Sequence, residues 1–519
     1  MAGSVGPLGV RIEPLGPTSF QEAREAFQQQ IAALAEAGAD LIVLETFSDL
    51  NEIREAIFAA REACDLPVVA QMTVDDDGNA LFGASPEVFA RRLDEWGADV
   101  VGINCSVGPK IALDVLERLI KVTRKPLAVQ PNAGKPVNVE GRNVYLCSPE
   151  YLAQYARRYI QAGAKVLGGC CGTTPEHIKL LKNEVRSLQP AHARIQVTVA
   201  EEARPKLLPP IPAEKKSRLG ARLKEASFPV LVEIVPPRGS DPSREIEGAR
   251  LCASKGVECI NVPDGPRASA RMSAQALAYL IQRDAGIEAV LHYCCRDRNI
   301  ISMQSDLLGI HVLGIRNLIV VTGDPPRLGN YPDATAVFDV DAIGLTNIVA
   351  NLNKGLDLGG NPIGSQTGFL IGVGANPGAV NREQELRRLY WKIEAGAEYI
   401  VTQPVFDLNQ LEALVRFVEP YRIPIIAGIW PLTSYRNAEF MVNELRVPVP
   451  EEFLERMRRA ESAEAARAEG VAIARQMLWR ARPMTQGAQL SAPFGRYNMA
   501  LEVMEVLGDR TATAQTAST

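Results

Sequence analysis

One short pattern of hydrophobic and polar positions recurs along the chain and predicts the order of its elements. Each copy has glycine at its second position, follows a helical pattern and precedes an apolar run of strand length. The glycine supplies the left-handed turn that ends a helix, and the apolar run enters a sheet that is buried on both faces. The six copies begin at Ala37, Trp96, Ala162, Lys255, Leu313 and Ala395. Such alternation of helices and strands predicts parallel sheets.

The first helix shows the same logic at its N-terminus. Residues 19–22, Ser-Phe-Gln-Glu, form a capping box in the sequence. A single helix face then collects the apolar residues Phe20, Ala23, Phe27, Ile31 and Leu34.

The number of strand patterns differs between the two halves of the chain. Six lie in the first half, near 3–6, 41–44, 67–72, 99–103, 126–130 and 165–168. Eight lie in the second half, near 229–234, 259–262, 288–292, 317–321, 368–373, 398–402, 424–428 and 485–490. We therefore predict an α/β protein with two (β/α)8 TIM-type barrels in tandem, the first lacking its first two βα units. A doubly wound sheet is the alternative, but no Gly-x-Gly-x-x-Gly opens either half.

A proline-rich and charged stretch separates the two halves. Four prolines lie between residues 205 and 212, and a charged run follows at 214–216. We predict domains at 1–190 and 225–510, a linker at 191–224, and a disordered tail at 511–519, where the residues are small and polar.

Composition narrows the class of protein. The net charge of −5 gives no reason to expect nucleic acid or an anionic membrane as a partner. No apolar run reaches the length of a membrane span and no signal pattern opens the chain, so we expect a cytoplasmic protein. Nine cysteines in 519 residues do not form a disulfide scaffold, and in that compartment they stay thiols.

Three of the cysteines follow predicted strands, where barrel enzymes carry their active sites. Cys105 follows the strand at 100–103, and Cys170 and Cys171 follow the strand at 166–167. Three thiolates and one open position make a catalytic zinc site, and the open position would take a substrate thiol. The alternative is three small buried residues in a tight barrel.

The segments around these cysteines resemble a known family. Gly102-Ile103-Asn104-Cys105, the run from Gly168 to Pro175 and the loop at 131–134 are similar to the homocysteine S-methyltransferases, over residues 1 to about 190. The resemblance implies Zn²⁺ at the three cysteines, homocysteine as substrate, and Glu45 and Asn132 as substrate contacts. Glu45 read by itself fits a helix N-terminal carboxylate equally well. The chain begins at a segment similar to the family's third strand, so the Gly-rich first strand is missing.

In the second half, polar side chains appear where predicted strands end. Glu233 lies among apolar strand residues, where burial should raise its pKa and make it a general acid. His292, Asp324 and Gln403 end three other strands, so all four side chains should face one barrel mouth. Taken singly, Asp324 fits a turn, His292 a core histidine and Gln403 a helix cap.

These motifs resemble methylenetetrahydrofolate reductase over roughly 225–507. The matching segments are Glu233 with Pro236-Pro237, Gly323-Asp324, residues 392–397, residues 402–407 and residues 428–431. The resemblance implies FAD in the barrel mouth and NADH or NADPH as hydride donor. It also implies that Glu233 protonates the methylene folate, that Asp324 binds the pterin and tunes the flavin, and that Gln403 orients the folate.

Further positions carry flavin and substrate contacts by the same resemblance. The flavin contacts would be His292, Asp324, Glu385 and Lys392, and Arg496 would be a late substrate contact. Two segments depart from the family: residues 261–265 replace a Thr-Tyr-Gly turn, and Asn376 replaces a flavin-contacting tyrosine. The adjacent Cys294 and Cys295 lack a third ligand, and we interpret them as packing residues.

Together the two halves resemble a bifunctional enzyme of one-carbon metabolism. The expected reactions are reduction of 5,10-methylenetetrahydrofolate to 5-methyltetrahydrofolate and zinc-dependent methyl transfer to homocysteine, giving methionine. The alternative is a reductase whose first half is a non-catalytic scaffold or oligomerisation module. For the second half, a flavin-independent barrel such as a lyase is the competing hypothesis. We expect folate and homocysteine as small-molecule partners, and a homo-oligomer.

Overall fold

The computed structural model divides the chain into two compact units. It describes residues 1–13, 15–80, 83–139, 142–187 and 208–508. Unit 1 comprises Met1–Leu207 with Leu356–Ile363, and unit 2 comprises Leu208–Gly355 with Gly364–Thr519. Among the described residues no helix has the length and apolar character needed to cross a membrane.

Unit 1 is built on a six-stranded parallel sheet in the order β1-β2-β3-β4-β5-β8. Its strands are β1 Ala2–Val5, β2 Leu41–Phe47, β3 Val68–Met72, β4 Val100–Asn104, β5 Leu127–Gln130 and β8 Ala164–Leu167. Its helices are α1 Phe20–Glu36, α2 Leu50–Ala63, α3 Pro86–Glu95, α4 Pro109–Leu119, α5 Pro149–Gln161 and α6 Pro175–Ser187. The six predicted strands are therefore confirmed.

One face of this sheet forms the apolar core with the helices. Ile42 and Leu44 of β2 pack there with Phe27 and Ile31 of α1, all fully buried. Because strand side chains alternate, Val43 and Glu45 face the opposite side of the sheet. That side carries polar and small residues at the ends of the strands, which is where the cysteines lie.

A two-stranded antiparallel hairpin, β6 Pro136–Val139 and β7 Arg142–Tyr145, interrupts the parallel pattern. The sequence analysis missed this hairpin. Its strands are four residues each and it lies outside the parallel sheet, so it lacks the long apolar run that announces a buried strand.

Unit 2 is a closed barrel of eight parallel strands, as predicted. Its strands are β9 Val230–Glu233, β10 Cys259–Val262, β11 Glu288–Cys294, β12 Asn317–Val321, β13 Leu370–Ala375, β14 Tyr399–Pro404, β15 Ile425–Ile429 and β16 Gly487–Leu490. Its helices are α7 Ala213–Lys216, α8 Arg218–Lys224, α9 Ser243–Ser254, α10 Ala274–Leu280, α11 Ile300–Val312, α12 Ala342–Leu352, α13 Arg382–Glu394, α14 Leu408–Val418, α15 Tyr435–Asn443, α16 Glu451–Arg458, α17 Ala463–Ala481 and α18 Tyr497–Met504. β16 pairs with β9 and closes the barrel.

The interior of the barrel is filled by alternate residues of successive strands. Leu231, Cys259, Val290 and Ile319 form one buried cluster inside it. Side chains two positions further along these strands face the C-terminal mouth of the barrel. This register places Glu233, Asn261, His292 and Gln403 at the mouth, while Gly374 lies four positions beyond Leu370, the cluster residue of β13.

The repeated glycine joint has the backbone conformation that its sequence predicts. All six glycines have positive φ, between 82° and 116°, namely Gly38, Gly97, Gly163, Gly256, Gly314 and Gly396. The capping box is also present: the Ser19 hydroxyl accepts from the Glu22 backbone N–H, and the Glu22 carboxylate accepts from Ser19 N. Local sequence therefore determines where these helices begin and end.

The second half of the predicted linker is folded onto the barrel. α7 and α8 occupy 213–224, and Leu219 and Leu223 of α8 pack against the interior cluster at the base of the barrel. These two helices were not predicted, because prolines precede α7 and Pro-rich runs ordinarily mark linkers. Residues 191–207 of the predicted linker, and the predicted tail at 511–519, lie outside the described residues.

Candidate active sites

The three cysteines of unit 1 converge at the C-terminal end of the sheet. The Sγ atoms of Cys105, Cys170 and Cys171 all lie within 4.8 Å of one another. The Sγ atoms of Cys105 and Cys171 are 3.7 Å apart. Two thiolates on one tetrahedral zinc ion, with bonds of about 2.3 Å, stand about 3.8 Å apart. In the described part of the chain this is the one cluster of metal-binding type.

Strained backbone and one buried amide hold this cluster. Thr46, Cys105 and Ser106 have φ values of 65°, 62° and 57°, a region that non-glycine residues rarely occupy. Asn104, 2% exposed, accepts the Thr46 N–H at 2.7 Å and donates to the Thr46 hydroxyl at 2.8 Å. The Asn104 amide also reaches the Cys170 Sγ at 3.8 Å. Asn104 therefore links the ends of β2 and β4 to the thiols.

Glu45 and Asn132, the predicted substrate contacts, both lie beside the thiol cluster. The Glu45 carboxylate accepts from the Ser4 hydroxyl and from Asn104 Nδ2. Asn132 is buried, and its Oδ1 accepts the Cys171 N–H at 3.1 Å. The Asn132 amide thus supports the turn that carries Cys171, a contact that the sequence analysis did not foresee.

Without a bound cation, deprotonation of the Cys170 thiol in this cluster is unfavourable. Burial raises the pKa of the Cys170 thiol to about 12, and the neighbouring Cys105 adds to the rise. A divalent cation reverses this, because coordination deprotonates a thiol outright.

In unit 2, Glu233 ends β9 inside the barrel mouth. Burial raises the pKa of its carboxyl to about 7, and a hydrogen bond from Gln489 opposes that rise only in part. The donor is Gln489 Nε2, 3.3 Å from Glu233 Oε2. A carboxyl with this pKa is about half protonated at neutral pH, which suits proton donation.

Two further polar side chains at the mouth have unsatisfied atoms. Neither Nδ2 nor Oδ1 of Asn261 has a partner in the part of the chain that the structure describes, and the residue is 0% exposed. The Nε2 of His292 is likewise buried without a partner, and burial lowers the pKa of this imidazole to about 4. Buried polar groups ordinarily find partners, so these atoms fit contact with a polar ligand. A Cβ on Gly374 of β13 would meet nothing within 4 Å, so there is open space at that position of the strand.

Asp324 and Gln403 are exposed at the ends of their strands. The carboxylate Oδ2 of Asp324 accepts the backbone N–H of Arg267 at 2.9 Å. Arg267 lies in the loop after β10 and its guanidinium stacks over the Phe440 ring at 4.6 Å from the centroid. The loops after β10 and β12 therefore meet at this end of the barrel, and the first of them also contacts helix α15.

The remaining predicted cofactor and substrate residues lie around this end of the barrel. Lys392 of α13 is buried, its pKa is lowered by burial, and its Nζ donates to the Gly374 carbonyl at 2.7 Å. Glu385 of α13 accepts the Asn376 N–H at 2.8 Å, so it braces the loop after β13. Arg496 follows β16 and begins α18.

Sequence reasoning missed Gln489 and Asn261. Each is a lone polar residue in an apolar strand, the same signal that singled out Glu233. The partnership between Glu233 and Gln489 spans 256 residues of sequence and appears only when the barrel closes.

A closed parallel barrel with an acid, a histidine and an aspartate at its C-terminal end defines unit 2 as a (β/α)8-barrel enzyme. Comparison with known families agrees with that class. The family model for methylenetetrahydrofolate reductase matches residues 218–490, more than half of the chain. The chain belongs to the methylenetetrahydrofolate reductase family. The family model for homocysteine S-methyltransferase matches residues 1–185, so a methyltransferase-type unit precedes the reductase-type unit.

Relatives with recorded activities match the first unit. The methionine synthase of Mycobacterium leprae (strain TN) is 34% identical over 183 residues, which are 34% of this chain and 15% of that protein. The methionine synthase of Mycobacterium tuberculosis is 33% identical over 193 residues, or 36% of this chain and 16% of that protein. The apo structure of the homocysteine methyltransferase MmuM from Escherichia coli is 28% identical, covers 35% of this chain and 61% of its own, and superposes with a TM-score of 0.30. The chain thus spans about one-sixth of the curated relatives named here.

Proposed function

We propose that unit 2 reduces 5,10-methylenetetrahydrofolate to 5-methyltetrahydrofolate with FAD as cofactor and NADH or NADPH as reductant. The observation that carries this proposal is the Glu233 carboxyl, held in the barrel mouth with its pKa raised to about 7. Membership of the reductase family supports the choice of substrate.

The residues at the mouth fit a flat polar ring such as the flavin. Asn261 and His292 have buried polar atoms without partners among the described residues, and His292 stays neutral at pH 7. Gly374 of β13 has open space where a side chain would lie. Lys392, Glu385 and Asp324 would hold the cofactor with His292, and Arg496 with Gln403 would contact the folate.

The protein's own groups would perform the proton transfer and the positioning. The methylene carbon of the substrate bridges two nitrogens of the folate, N5 and N10. Glu233 gives its proton to N10, so the bond between N10 and the methylene carbon breaks and leaves an iminium at N5. A bound reduced flavin supplies the hydride that converts this carbon to a methyl group. Asp324 accepts hydrogen bonds from the pterin and Gln403 orients the ring. Together they keep the methylene carbon in position to receive the hydride.

Replacing the acid tests this assignment. The E233Q variant keeps a hydrogen-bonding side chain of the same size but cannot donate a proton as an acid. We expect folate reduction to fall by about 10²- to 10⁴-fold, while reduction of the flavin by the nicotinamide is unchanged. The two half-reactions are followed separately by flavin absorbance in anaerobic stopped flow.

The matched control is E412Q on the surface of α14, where Glu412 pairs with Arg416. It should leave both half-reactions unchanged. Loss of both half-reactions in folded E233Q, or retention of folate reduction, would refute the role of Glu233 as the acid.

We also propose that unit 1 binds Zn²⁺ through Cys105, Cys170 and Cys171 and transfers a methyl group to homocysteine. The separation of 3.7 Å between two of the Sγ atoms matches a tetrahedral ion. The fourth position would take the homocysteine sulfur, whose pKa the ion lowers so that a thiolate forms at neutral pH. Glu45 and Asn132 are the proposed substrate contacts.

An open six-stranded sheet favours a second hypothesis for unit 1, a non-catalytic scaffold. Zinc content and homocysteine methylation separate the two hypotheses. Binding of one zinc per chain that falls to near zero in C170A but not in C64A, together with turnover, supports the zinc enzyme. Cys64 is the control because it lies at the end of α2, and its thiol donates to the Ala60 carbonyl. Absence of zinc and of turnover in the wild type would leave the scaffold as the explanation.

A further inference from the structure

A buried arginine, Arg296, joins the two loops that meet at Asp324. The residue follows β11 and is 4% exposed. A single guanidinium nitrogen, Nη1, donates to the Gly265 carbonyl and to the Asp324 carbonyl, each at 3.3 Å. Gly265 belongs to the loop after β10 and Asp324 to the loop after β12. Arg296 therefore fixes the distance between these loops from inside the protein.

Two glycines make room for Arg296. Gly265 has a φ of 52°, and a Cβ there would lie 2.6 Å from Arg296 Nη2. Gly323 has a φ of 92°, and a Cβ there would lie 3.2 Å from Arg296 Cβ and 3.1 Å from Cys294 Cβ. A side chain at either position would displace the arginine, so both loops are shaped around it.

The loop after β10 also supplies a donor to the Asp324 carboxylate. Two residues beyond Gly265, Arg267 has a φ of 56° and its backbone N–H donates to Asp324 Oδ2 at 2.9 Å. This donor reaches the carboxylate only while the two loops keep their separation. Arg296 holds the carbonyl on each side of that contact, so its position determines where the Asp324 carboxylate points.

The charge of Arg296 is balanced by Asp297. The carboxylate of Asp297 accepts from Arg296 Nε at 2.9 Å and from Nη2 at 2.8 Å. This bidentate pair fixes the plane of the guanidinium and leaves Nη1 for the two carbonyls.

Arg298, two residues further on, also contacts the loop after β10. It pairs with Asp264 at 2.8 Å, and the Asp264 carboxylate accepts the Cys294 N–H at 3.3 Å. Arg298 thus anchors the same loop after β10, and Asp264 occupies one of the positions where the sequence departs from the family turn. The Arg298 guanidinium also donates to the Asp306 carboxylate and to the Cys294 carbonyl.

We infer that Arg296 is a positioning residue for Asp324, acting through the carbonyls of Gly265 and Asp324 and not by touching the substrate. This inference rests on the proposed reductase function, in which Asp324 binds the pterin.

A double-mutant cycle on the full chain tests the inference. The variants are R296Q, D324N and their combination, and the readout is the rate of reoxidation of reduced flavin by methylenetetrahydrofolate. We expect R296Q to slow this step by about 10- to 100-fold, the loss expected from a displaced catalytic group. In the D324N background the same substitution should change the rate by less than about 3-fold, because its target is already lost. R296K keeps a donor for the carbonyls, so the decrease in the logarithm of its reoxidation rate should be at most half of the decrease in R296Q.

The R283Q cycle with D324N is the control, because Arg283 pairs with Asp284 before β11, at the opposite end of that strand from Arg296. Its effect should be the same in both backgrounds. An R296Q effect of equal size with and without D324N, or an R283Q effect that vanishes in D324N, would overturn the inference. If R296Q fails to fold, the R296K cycle decides by the same criterion. If the wild type reduces folate and R296Q has the same effect with and without D324N, only this inference is refuted. A wild type that does not reduce folate refutes the proposed function and this inference together.

Discussion

Glu233 is the residue on which the chemistry of unit 2 depends most directly. It is an acid at the end of a strand whose other residues are apolar, with one amide donor, Gln489. Burial therefore dominates its titration, and its pKa rises from 4.5 to about 7. In the proposed reaction, this carboxyl would supply at neutral pH the proton needed for iminium formation.

This titration predicts the pH dependence of the folate half-reaction. The reactive form is the protonated acid, so the rate should be constant well below pH 7 and fall about tenfold per pH unit well above it. Flavin reduction by the nicotinamide should not follow this curve. The measurement is the pH profile of each half-reaction, and a folate half-reaction that quickens above pH 7 would contradict the assignment.

Residues with a local signal could be predicted, and residues with only long-range partners could not. Glu233 stood out because one charge interrupts an apolar strand, and Cys170-Cys171 because adjacent cysteines are rare. Arg296 lies in an ordinary charged loop sequence, and its significance comes from carbonyls on two other loops. The amide of Asn132 turns to the Cys171 N–H, a contact that depends on the fold of both loops.

At the level of elements, α8 closes the base of the barrel. Leu219 is fully buried and packs with Leu231 and Cys259 in the interior cluster, while Lys216 of α7 pairs with Glu398 at 2.7 Å. These two short helices therefore belong to the folded barrel and not to a flexible linker.

We predict that L219A destabilises unit 2 by about 2–5 kcal/mol, because it leaves a cavity at the barrel base. L308A on α11, where the leucine is 39% exposed, is the control and should cost less than about 1 kcal/mol. Urea unfolding of both variants measures the difference. Equal small losses would show that α8 does not pack into the core.

The strands and the helix ends were predictable because short-range sequence determines them. A glycine at positive φ followed by an apolar run occurs at all six predicted joints. The β6–β7 hairpin and α7–α8 were missed, since their sequences resemble loops. Leu219 and Leu223 of α8 pack in the barrel interior, a contact that short-range sequence does not show. The eighth barrel strand, β16, follows three helices, α15, α16 and α17, and its pattern near 485–490 was the least clear of the eight.

At the scale of the whole molecule, two sites of different chemistry lie at the C-terminal ends of two parallel sheets. Unit 1 presents three thiols beside an open sheet, and unit 2 presents an acid and unsatisfied polar groups inside a closed barrel. The strand counts of six and eight, taken from the sequence, agree with this difference. Membership of the reductase family applies to more than half of the chain, so the reductase is the central claim.

The most direct test of that claim is a single-turnover experiment on the full chain loaded with FAD. The flavin is reduced anaerobically with NADH or NADPH and then mixed with 5,10-methylenetetrahydrofolate. We predict that the flavin is reoxidised and that one equivalent of 5-methyltetrahydrofolate forms per flavin. A chain that retains no FAD, or a reduced flavin that persists in the presence of the folate, would contradict the account.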